Sequence, residues 1–493
     1  MNASIRRLSV VILGMFLVLM ASSTWLQFFE ADSLNADPRN RRTLYREYGN
    51  FRGPIVVDGS PIVYSVPVDD VFGYQRIYTD GALYAPVTGY YSVVFGRSGI
   101  EAAENKLLSG SSDELFWSRL GDLLAGEDQQ GASIELTIRA ALQQVAYEEL
   151  GAQRGAVIAL DPRTGEILAM VSSPTYDPTV LAGHDTSEVG VAWESLQDIP
   201  GSPLTNRAIA GDTYAPGSLF KLITTAAALE SGYTPQTIVH APVELDLPLT
   251  TSTVRNYGDR ACDTSDSTTL LHAFAQSCNT AFAGIGLSLT WGPIQRQAEE
   301  FGWGRELAIP LAVTPSRLPL DPDPPQTAIS AIGQFDVRAT PLQMAMVGAA
   351  IANDGVLMTP YLVERSRDSK LRVLSTTEPS VYGTPLTDLE AGYLRDMMVA
   401  VVESGTGVAA QIDGVTVAGK TGTAETGDGG SPHAWFLGFA PAENPSIVVV
   451  VVVERGGSVG DEGTGGRVAA PIARAVILEA LALEAERSGE GSG

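Results

Sequence analysis

Residues 446–454 read SIVVVVVVE, six consecutive valines behind an isoleucine. β-branched side chains suit a pleated strand and lose rotamer freedom in a helix, so the run predicts a strand. Side chains alternate along a strand; one that is apolar at every position is apolar on both faces and needs cover on both. Helices must therefore lie on each side of whatever sheet holds it. Two further strand candidates precede it at hairpin spacing, VTVAGKTGTAE (415–425) and AWFLGFAP (434–441). Far upstream, GAVIALDPRTGEILAMVSS (155–173) places two apolar runs around Asp161-Pro162-Arg163-Thr164-Gly165, a hairpin with proline and glycine in turn positions. Cover comes from the helical stretches SLFKLITTAAALESG, TTLLHAFAQSCNTAFAGIGLSL, PLQMAMVGAAIANDG and GRVAAPIARAVILEALALEAER. The expected fold is α/β of the α+β type. It has a five-stranded antiparallel sheet flanked by helices on both faces, with a long helical insertion between its first and last strands.

At 493 residues the chain exceeds one ordinary core. Residues 31–150 mix short strand-like pieces such as PIVVDGSPIVYSVPV with Gly-rich turns and end in IELTIRAALQQVAYEEL, whose period changes from alternating to helical. This reads as a small β-rich pedestal joined by a connecting helix to a larger domain over 151–486. The Ser/Gly/Glu-rich end, 487–493, is expected to be disordered. Residues 8–29 are uncharged and apolar, long enough to span hydrocarbon as a helix. Arg6 and Arg7 before them favour a cytoplasmic N-terminus, although Arg39, Arg41 and Arg42 beyond reduce the asymmetry. Ala21-Ser22-Ser23 could serve as a cleavage site, but Trp25, Phe28 and Phe29 form an interfacial belt. The reading is an uncleaved single-pass anchor over 1–30, in the cell membrane, with the catalytic domain outside the cytoplasm.

The chain carries 32 basic against 57 acidic residues, a net charge of -25 that repels phosphate backbones, so nucleic acid is excluded as a partner. Its only cysteines are Cys262 and Cys278. Outside the cytoplasm a lone pair is expected to oxidise, tying the loop NYGDRACDTSDST to the helical stretch that holds Cys278; two separately buried thiols are the alternative. The four histidines are scattered and no CxxC pair occurs, so no metal site is expected.

Three short segments carry chemistry. In TYAPGSLFK (213–221) a Pro-Gly break puts Ser218 near a helix start, and the spacing of three puts Lys221 on the same face one turn on. A serine hydroxyl needs a base to become a nucleophile, and a desolvated lysine beside another cation has its pKa lowered enough to serve. Alone, S-x-x-K recurs by chance and such a lysine can merely lie along a helix edge. Ser277, Cys278 and Asn279 put a hydroxyl and an amide two places apart inside an apolar helical stretch, a pattern uninformative by itself. Lys420, Thr421, Gly422 and Thr423 lie on a strand candidate, where Gly422 leaves the backbone bare to whatever approaches. A cation and two hydroxyls there suit a carboxylate-bearing peptide, though a surface turn with a solvated lysine has the same sequence.

Together, in the order S-x-x-K, S-x-N, K-T-G, these segments resemble the signature of penicillin-binding proteins and class A β-lactamases. The resemblance extends over about 150–485, including TPLQMAMVGAAIANDG and HAWFLGFAP. With the anchor and FRGPIVVDG (51–59), the layout is most similar to class B penicillin-binding proteins, and among them to the actinobacterial A branch. Three positions depart from the family pattern. Cys278 fills the variable middle of S-x-N, Phe335 follows Gly-Gln where the family has glycine, and VVDG lacks the arginine after aspartate.

The resemblance implies a penicillin-sensitive D,D-transpeptidase that cross-links peptidoglycan stem peptides without a cofactor. Ser218 would attack a D-Ala-D-Ala carbonyl with Lys221 as base, and an amine from a neighbouring stem would take the acyl group. The N–H groups of Ser218 and Thr423 would form the oxyanion hole. Ser277 would relay a proton to the leaving group, Asn279 would position the donor amide and Lys221, and Lys420, Thr421 and Thr423 would hold the terminal carboxylate. β-Lactams would be covalent inhibitors, and division or elongation proteins would be partners. Residues 31–150 leave no room for a glycosyltransferase domain, and no E-x-x-L-N follows the second motif as a β-lactamase requires. A D,D-carboxypeptidase and a division scaffold remain as alternatives, the second disfavoured by the intact set of reactive residues.

Overall fold

The structure, a computed structural model, describes residues 2–30, 48–115 and 130–490. Helix α1 (Asn2–Phe28) includes the largely apolar stretch Ile5–Phe28, of mean hydropathy 2.0, which none of the described residues covers. Strands β1 (Ile55–Val57), β2 (Ser60–Pro67) and β3 (Tyr74–Tyr78) form a meander, and β4 (Ser133–Leu136) pairs parallel to β1 with Ile55 opposite Ile134. Helix α2 (Ala140–Leu150) leads into the expected hairpin, β5 (Gly155–Leu160) and β6 (Ile167–Ser173). The long insertion supplies α3 (Lys221–Glu230), α4 (Leu270–Ala275), α5 (Asn279–Leu289) and α6 (Pro341–Ala352). Strands β7 (Val363–Arg367) and β8 (Val373–Thr376) and helix α7 (Asp388–Glu403) follow. The chain then runs through β9 (Ala418–Ala424), β10 (His433–Ala440), β11 (Ile447–Val453) and α8 (Ala470–Glu490).

The catalytic-domain sheet has five antiparallel strands in the order β9-β10-β11-β5-β6. The valine strand sits at its centre, and its alternation divides it between two cores. Val448, Val450 and Val452 join the cluster that includes α3 and α6, whereas Val449, Val451 and Val453 face α2 and α8. Helix cover on both faces is what the sequence demanded. At the closest approach of α6, a Cβ on Gly348 would lie 2.8 Å from Val448 Cγ1, so glycine sets how near the helix can come.

Strand pairing crosses between the two segments. A second sheet, β8-β7-β4-β1-β2-β3, combines the meander with strands from residues 363–376, so the pedestal expected over 31–150 is completed by chain from inside the 151–486 segment. Val363 pairs with Leu136 and Ser366 with Ile134. Helix α2, read as a connector, buries Leu142, Ala146 and Leu150 against the sheet face that α8 also covers; their spacing of four is one stripe of a helix. At the other end α8 runs to Glu490. Residues 31–47, with Arg39, Arg41 and Arg42, as well as 116–129 and 491–493, lie outside the described residues.

The pedestal core holds a buried ionic triad. Glu101 accepts from Arg52 Nε at 2.5 Å and from Arg76 Nε at 2.7 Å, and all three side chains are at most 3% exposed. The two guanidinium groups hold the Glu101 carboxyl below its usual range against the opposing effect of burial, which is the largest influence. Removing one partner of such a group leaves the others charged and unpaired, which costs about 3–5 kcal/mol. Glu101→Ala is therefore expected to lower the free energy of unfolding by that amount, read as a lower urea midpoint. A midpoint unchanged from wild type would mean that the triad contributes no net stability.

Candidate active site

The segment entering α3 is fixed by its neighbours before the reactive serine is reached. Tyr214 and Ala339 exchange backbone hydrogen bonds at 3.0 and 2.8 Å, and Gly217 N–H donates to Gly333 O at 3.0 Å. Gly217 has φ +53, and a Cβ there would lie 2.6 Å from Thr423 O; only glycine allows both the turn and the approach of β9. Gly422 makes the same contact from the other side, its missing Cβ leaving room for Pro216 O at 3.0 Å and Leu219 Cγ at 3.1 Å. Sequence reasoning read Gly422 as a bare backbone for a ligand. The structure uses it to seat the nucleophile turn against the edge strand.

Ser218 lies in the 3₁₀ turn Gly217–Phe220 and is half-buried, and among the described residues its hydroxyl has no hydrogen-bond partner. Lys221 begins α3 and is fully buried. The direct Ser218–Lys221 contact that the spacing suggested is not made here. Lys221 Nζ instead donates to Ser277 O at 2.6 Å, Asn279 Oδ1 at 2.8 Å and Ser277 Oγ at 3.3 Å.

The S-x-N segment corrects the sequence reading. TTLLHAFAQSCNTAFAGIGLSL is not one helix: α4 stops at Ala275 and α5 starts at Asn279. Ser277 N–H donates to Phe274 O at 3.0 Å and Cys278 N–H to Ala273 O at 2.9 Å, with Ser277 at φ +58. This is a Schellman stop in which serine takes the left-handed place usually given to glycine. The break turns Ser277 Oγ and Asn279 toward Lys221, which a continuous helix would not do. Beyond it, Asn256 Oδ1 accepts from Thr280 N–H at 3.1 Å and Arg255 O accepts from Asn279 Nδ2 at 3.0 Å. Neither residue was singled out from the sequence, because a contact across more than twenty residues of polar loop leaves no periodic signal. Cys262 and Cys278 are disulfide-bonded, with Cα atoms 5.7 Å apart, so the same loop is covalently fastened beside Ser277.

Lys420 reaches the cluster from β9, donating to Ser277 Oγ at 2.8 Å and to Thr421 O at 2.9 Å. Both amines are fully buried, Lys221 Nζ 5.4 Å from the Phe282 ring and Lys420 Nζ 5.6 Å from that of Phe274. Burial pushes the Lys420 amine down to about 7. Lys221 is held well below the usual lysine range, first by burial and then by the charge of Lys420. Thr423 is half-buried, Thr421 is buried, and β9 is the edge of its sheet, open along one side. Lys221 and Lys420 thus converge on the Ser277 hydroxyl, Asn279 holds Lys221, and Ser218 lies one turn before Lys221 in a turn packed against the strand that carries Lys420, Thr421 and Thr423. Among the described residues no cluster of His, Cys, Asp or Glu could hold a metal ion. The arrangement offers a serine hydroxyl, an amine able to be neutral near pH 7, and a second buried amine on the edge strand.

The profile of the penicillin binding protein transpeptidase domain matches residues 155–478, and that of the penicillin binding protein A dimerisation domain matches 52–134. The chain is 46% identical to the peptidoglycan D,D-transpeptidase PbpA of Mycolicibacterium smegmatis, over 98% of this chain and 99% of that one. It is 42% identical to PbpA of Mycobacterium tuberculosis, with the same coverage. Among solved structures, the ceftriaxone acyl-enzyme complex of penicillin-binding protein A from M. tuberculosis superposes with a TM-score of 0.86 at 41% identity, covering 89% of this chain and all of that one. Its penicillin G acyl-enzyme complex gives 0.83 at 41% identity, covering 88% of this chain and 100% of that one.

The disulfide spans 16 positions, and closing a loop of this size is worth about 3 kcal/mol in the chain-entropy account. Replacing both cysteines with serine is expected to lower stability by that amount in urea unfolding. Alkylation of the unfolded chain without reductant, followed by mass measurement, should label neither cysteine. Two labelled thiols on material prepared under oxidising conditions would show that the bond does not form.

Proposed function

The chain belongs to the penicillin-binding protein transpeptidase family, and from that premise we propose that it is a serine-type peptidoglycan D,D-transpeptidase working through Ser218. The observation that carries the assignment is the fully buried Lys221 amine, which begins α3 one turn after half-buried Ser218, whose hydroxyl has no partner among the described residues. Ser218 Oγ attacks the carbonyl of the penultimate D-Ala while Lys221, once deprotonated and keeping only two of its three donor contacts, takes its proton on the freed lone pair. The oxyanion is held by the N–H groups of Ser218 and Thr423, which Gly217 and Gly422 bring together. The C–N bond then breaks, and the Ser277 hydroxyl passes a proton to the departing D-Ala nitrogen while Lys221 hands Ser277 Oγ the proton it took from Ser218, across their 3.3 Å contact. Lys420 donates to Ser277 Oγ, which leaves the serine's own hydrogen free to be given. A stem amine attacks the acyl-enzyme, loses its proton by the same route in reverse, and Ser218 is regenerated. Asn279, anchored to Arg255 O, fixes Lys221 and faces the donor amide.

The same reading places α1 in the cell membrane with the catalytic domain outside the cytoplasm. It rests on the uncharged apolar stretch that begins at Leu8 in α1 and is preceded by Arg6 and Arg7. Lys420, with Thr421 and Thr423, meets the carboxylate of the terminal D-Ala, and β-lactams enter as mimics of that donor.

Fluorescent penicillin is expected to form a stable adduct with the wild-type chain and none with Ser218→Ala; an adduct that persists in the variant would overturn the assignment. With a D-Ala-D-Ala donor, release of D-Ala should accelerate when an amine acceptor is added and yield the cross-linked product. Release insensitive to the amine would make the chain a carboxypeptidase.

Lys221→Ala is expected to slow acylation about 100-fold or more while leaving non-covalent binding near wild type, since a base acts in the transition state. The pH profile of acylation follows from the two amines. The rate rises with pH as Lys221 loses its proton and becomes a base, and falls as pH passes about 7 and Lys420 loses the charge that meets the carboxylate. A benzylpenicillin ester, lacking the carboxylate, should lose the falling limb. A falling limb shared by acid and ester would show that Lys420 does not read the carboxylate.

A further inference from the structure

The turn Ser404-Gly405-Thr406-Gly407 follows α7, and its threonine touches two parts of the site at once. Thr406 Oγ1 lies 2.5 Å from Thr421 Oγ1 on β9. Its backbone N–H donates at 3.3 Å to Ala275 O, two residues before Ser277. Gly405 permits this approach, since a Cβ there would overlap Ala275 O. From the far side Gly466 closes on Thr406 O, and a Cβ on it would meet Thr421 Cγ2 at 3.6 Å. The turn is wedged between the strand that carries Lys420 and the break that carries Ser277. Thr406 itself is exposed, while Thr421 is buried.

The direction of the hydroxyl pair decides what Thr421 can do. A carboxylate only accepts, and a threonine has one hydrogen to give. If Thr421 gives it to Thr406, none remains for a ligand. Lys420 cannot compensate fully, because two of its donor positions are already engaged by Ser277 Oγ and Thr421 O. We propose that Thr406 is a positioning residue of the carboxylate clamp: its hydroxyl donates to Thr421 Oγ1 and so turns the Thr421 hydrogen outward, to the terminal carboxylate of the acyl donor. The proposal rests on the transpeptidase reading above and adds to it a residue outside the three motifs that selects donors ending in a free carboxylate. Because Thr406 N–H also holds the chain entering the Ser277 break, the clamp and the proton relay keep their register through one side chain and its backbone.

The test is acylation of the full chain by benzylpenicillin and by its methyl ester. Thr406→Val keeps the shape and removes the hydroxyl, and loss of one oriented hydrogen bond to a charged group is worth about tenfold or more. The acid should therefore react about tenfold more slowly with Thr406→Val, the ester should keep its rate, and Thr406→Ser should restore reaction with the acid. Thr406→Val combined with Thr421→Val should be no slower than Thr421→Val alone, since the first acts only through the second. Thr406→Ala, checked for an unchanged melting temperature, serves the same purpose if the valine variant is unstable. An acid rate unaffected by loss of the hydroxyl, an equal loss for acid and ester, or additive losses in the double variant would each overturn the role of Thr406. A wild-type chain that does not react with benzylpenicillin would instead defeat the transpeptidase reading itself.

Discussion

Two amines buried around one hydroxyl govern the rest of this molecule. Lys221 and Lys420 both donate to Ser277 Oγ, and neither reaches solvent. Moving an ammonium group out of water costs several kcal/mol, and two together also repel, so the fold favours neutral amine at this place. A neutral amine is what proton abstraction from Ser218 requires. The unfavourable burial and the catalytic competence are one fact, and the surrounding structure has to offset the first to obtain the second. The five-stranded sheet with helices on both faces supplies a rigid wall. Gly217 and Gly422 let the nucleophile turn lie directly on the edge strand of that wall. The disulfide and the loop through Asn256 close the opposite side against a chain break that would otherwise be free to move.

The pedestal is tied to this wall by shared strands rather than by a linker. After α6 has packed on the valine strand, the chain leaves to form β7 and β8, which complete the second sheet beside β4. Backbone bonds stitch the crossing: Tyr361 N–H to Gly165 O and Ile167 N–H to Tyr361 O, each at 3.0 Å, and Thr137 N–H to Leu362 O at 3.0 Å. The turn Asp161 to Gly165, at one end of the catalytic sheet, is therefore a docking point for the segment entering the pedestal. A tilt of one module relative to the other would have to break these bonds or carry the hairpin β5–β6 with it. That hairpin pairs through β5 with the central valine strand.

What the sequence made legible follows the range over which its signals act. The valine run reveals its environment because every position reports on burial, and alternation converts seven positions, Ile447–Val453, into two required cores. The K-T-G segment was placed on a strand by the same local logic. The break at Ser277 was not visible, since nothing in AFAQSCNTAF marks a stop when serine, rather than glycine, adopts the left-handed turn. Only the backbone bonds to Ala273 and Phe274 and the pull of Lys221 and Asn279 explain it. That strands from 363–376 complete the pedestal sheet was hidden for a related reason. VERSRDSKLRVLST reads as one more surface hairpin, and pairing with a strand some 230 positions earlier leaves no mark in either segment. Thr406 was invisible on the same grounds, its partner hydroxyl being 15 positions on across a turn and a strand entry.

The departure at Phe335 shows how a local rule can be broken beside such a site. The residue has φ +59, a conformation costly for a bulky side chain and easy for the glycine that the family pattern has there. Its turn is held on both sides. Arg338 Nη1 donates to Phe335 O at 2.8 Å, while Gly333, at φ +76, receives Gly217 N–H on its carbonyl and sits so close that a Cβ would overlap Gly217 O. The backbone of 333–338 is thus fixed by its work as a brace behind the nucleophile turn, whatever side chain occupies 335. Phenylalanine is tolerated because relaxing it to an ordinary φ would shift the carbonyl that holds Gly217. That would withdraw the turn from Thr423, where Ser218 N–H must lie. The strain at 335 and the position of the nucleophile are two ends of one short chain of contacts, and the position of the nucleophile is the end that the fold preserves.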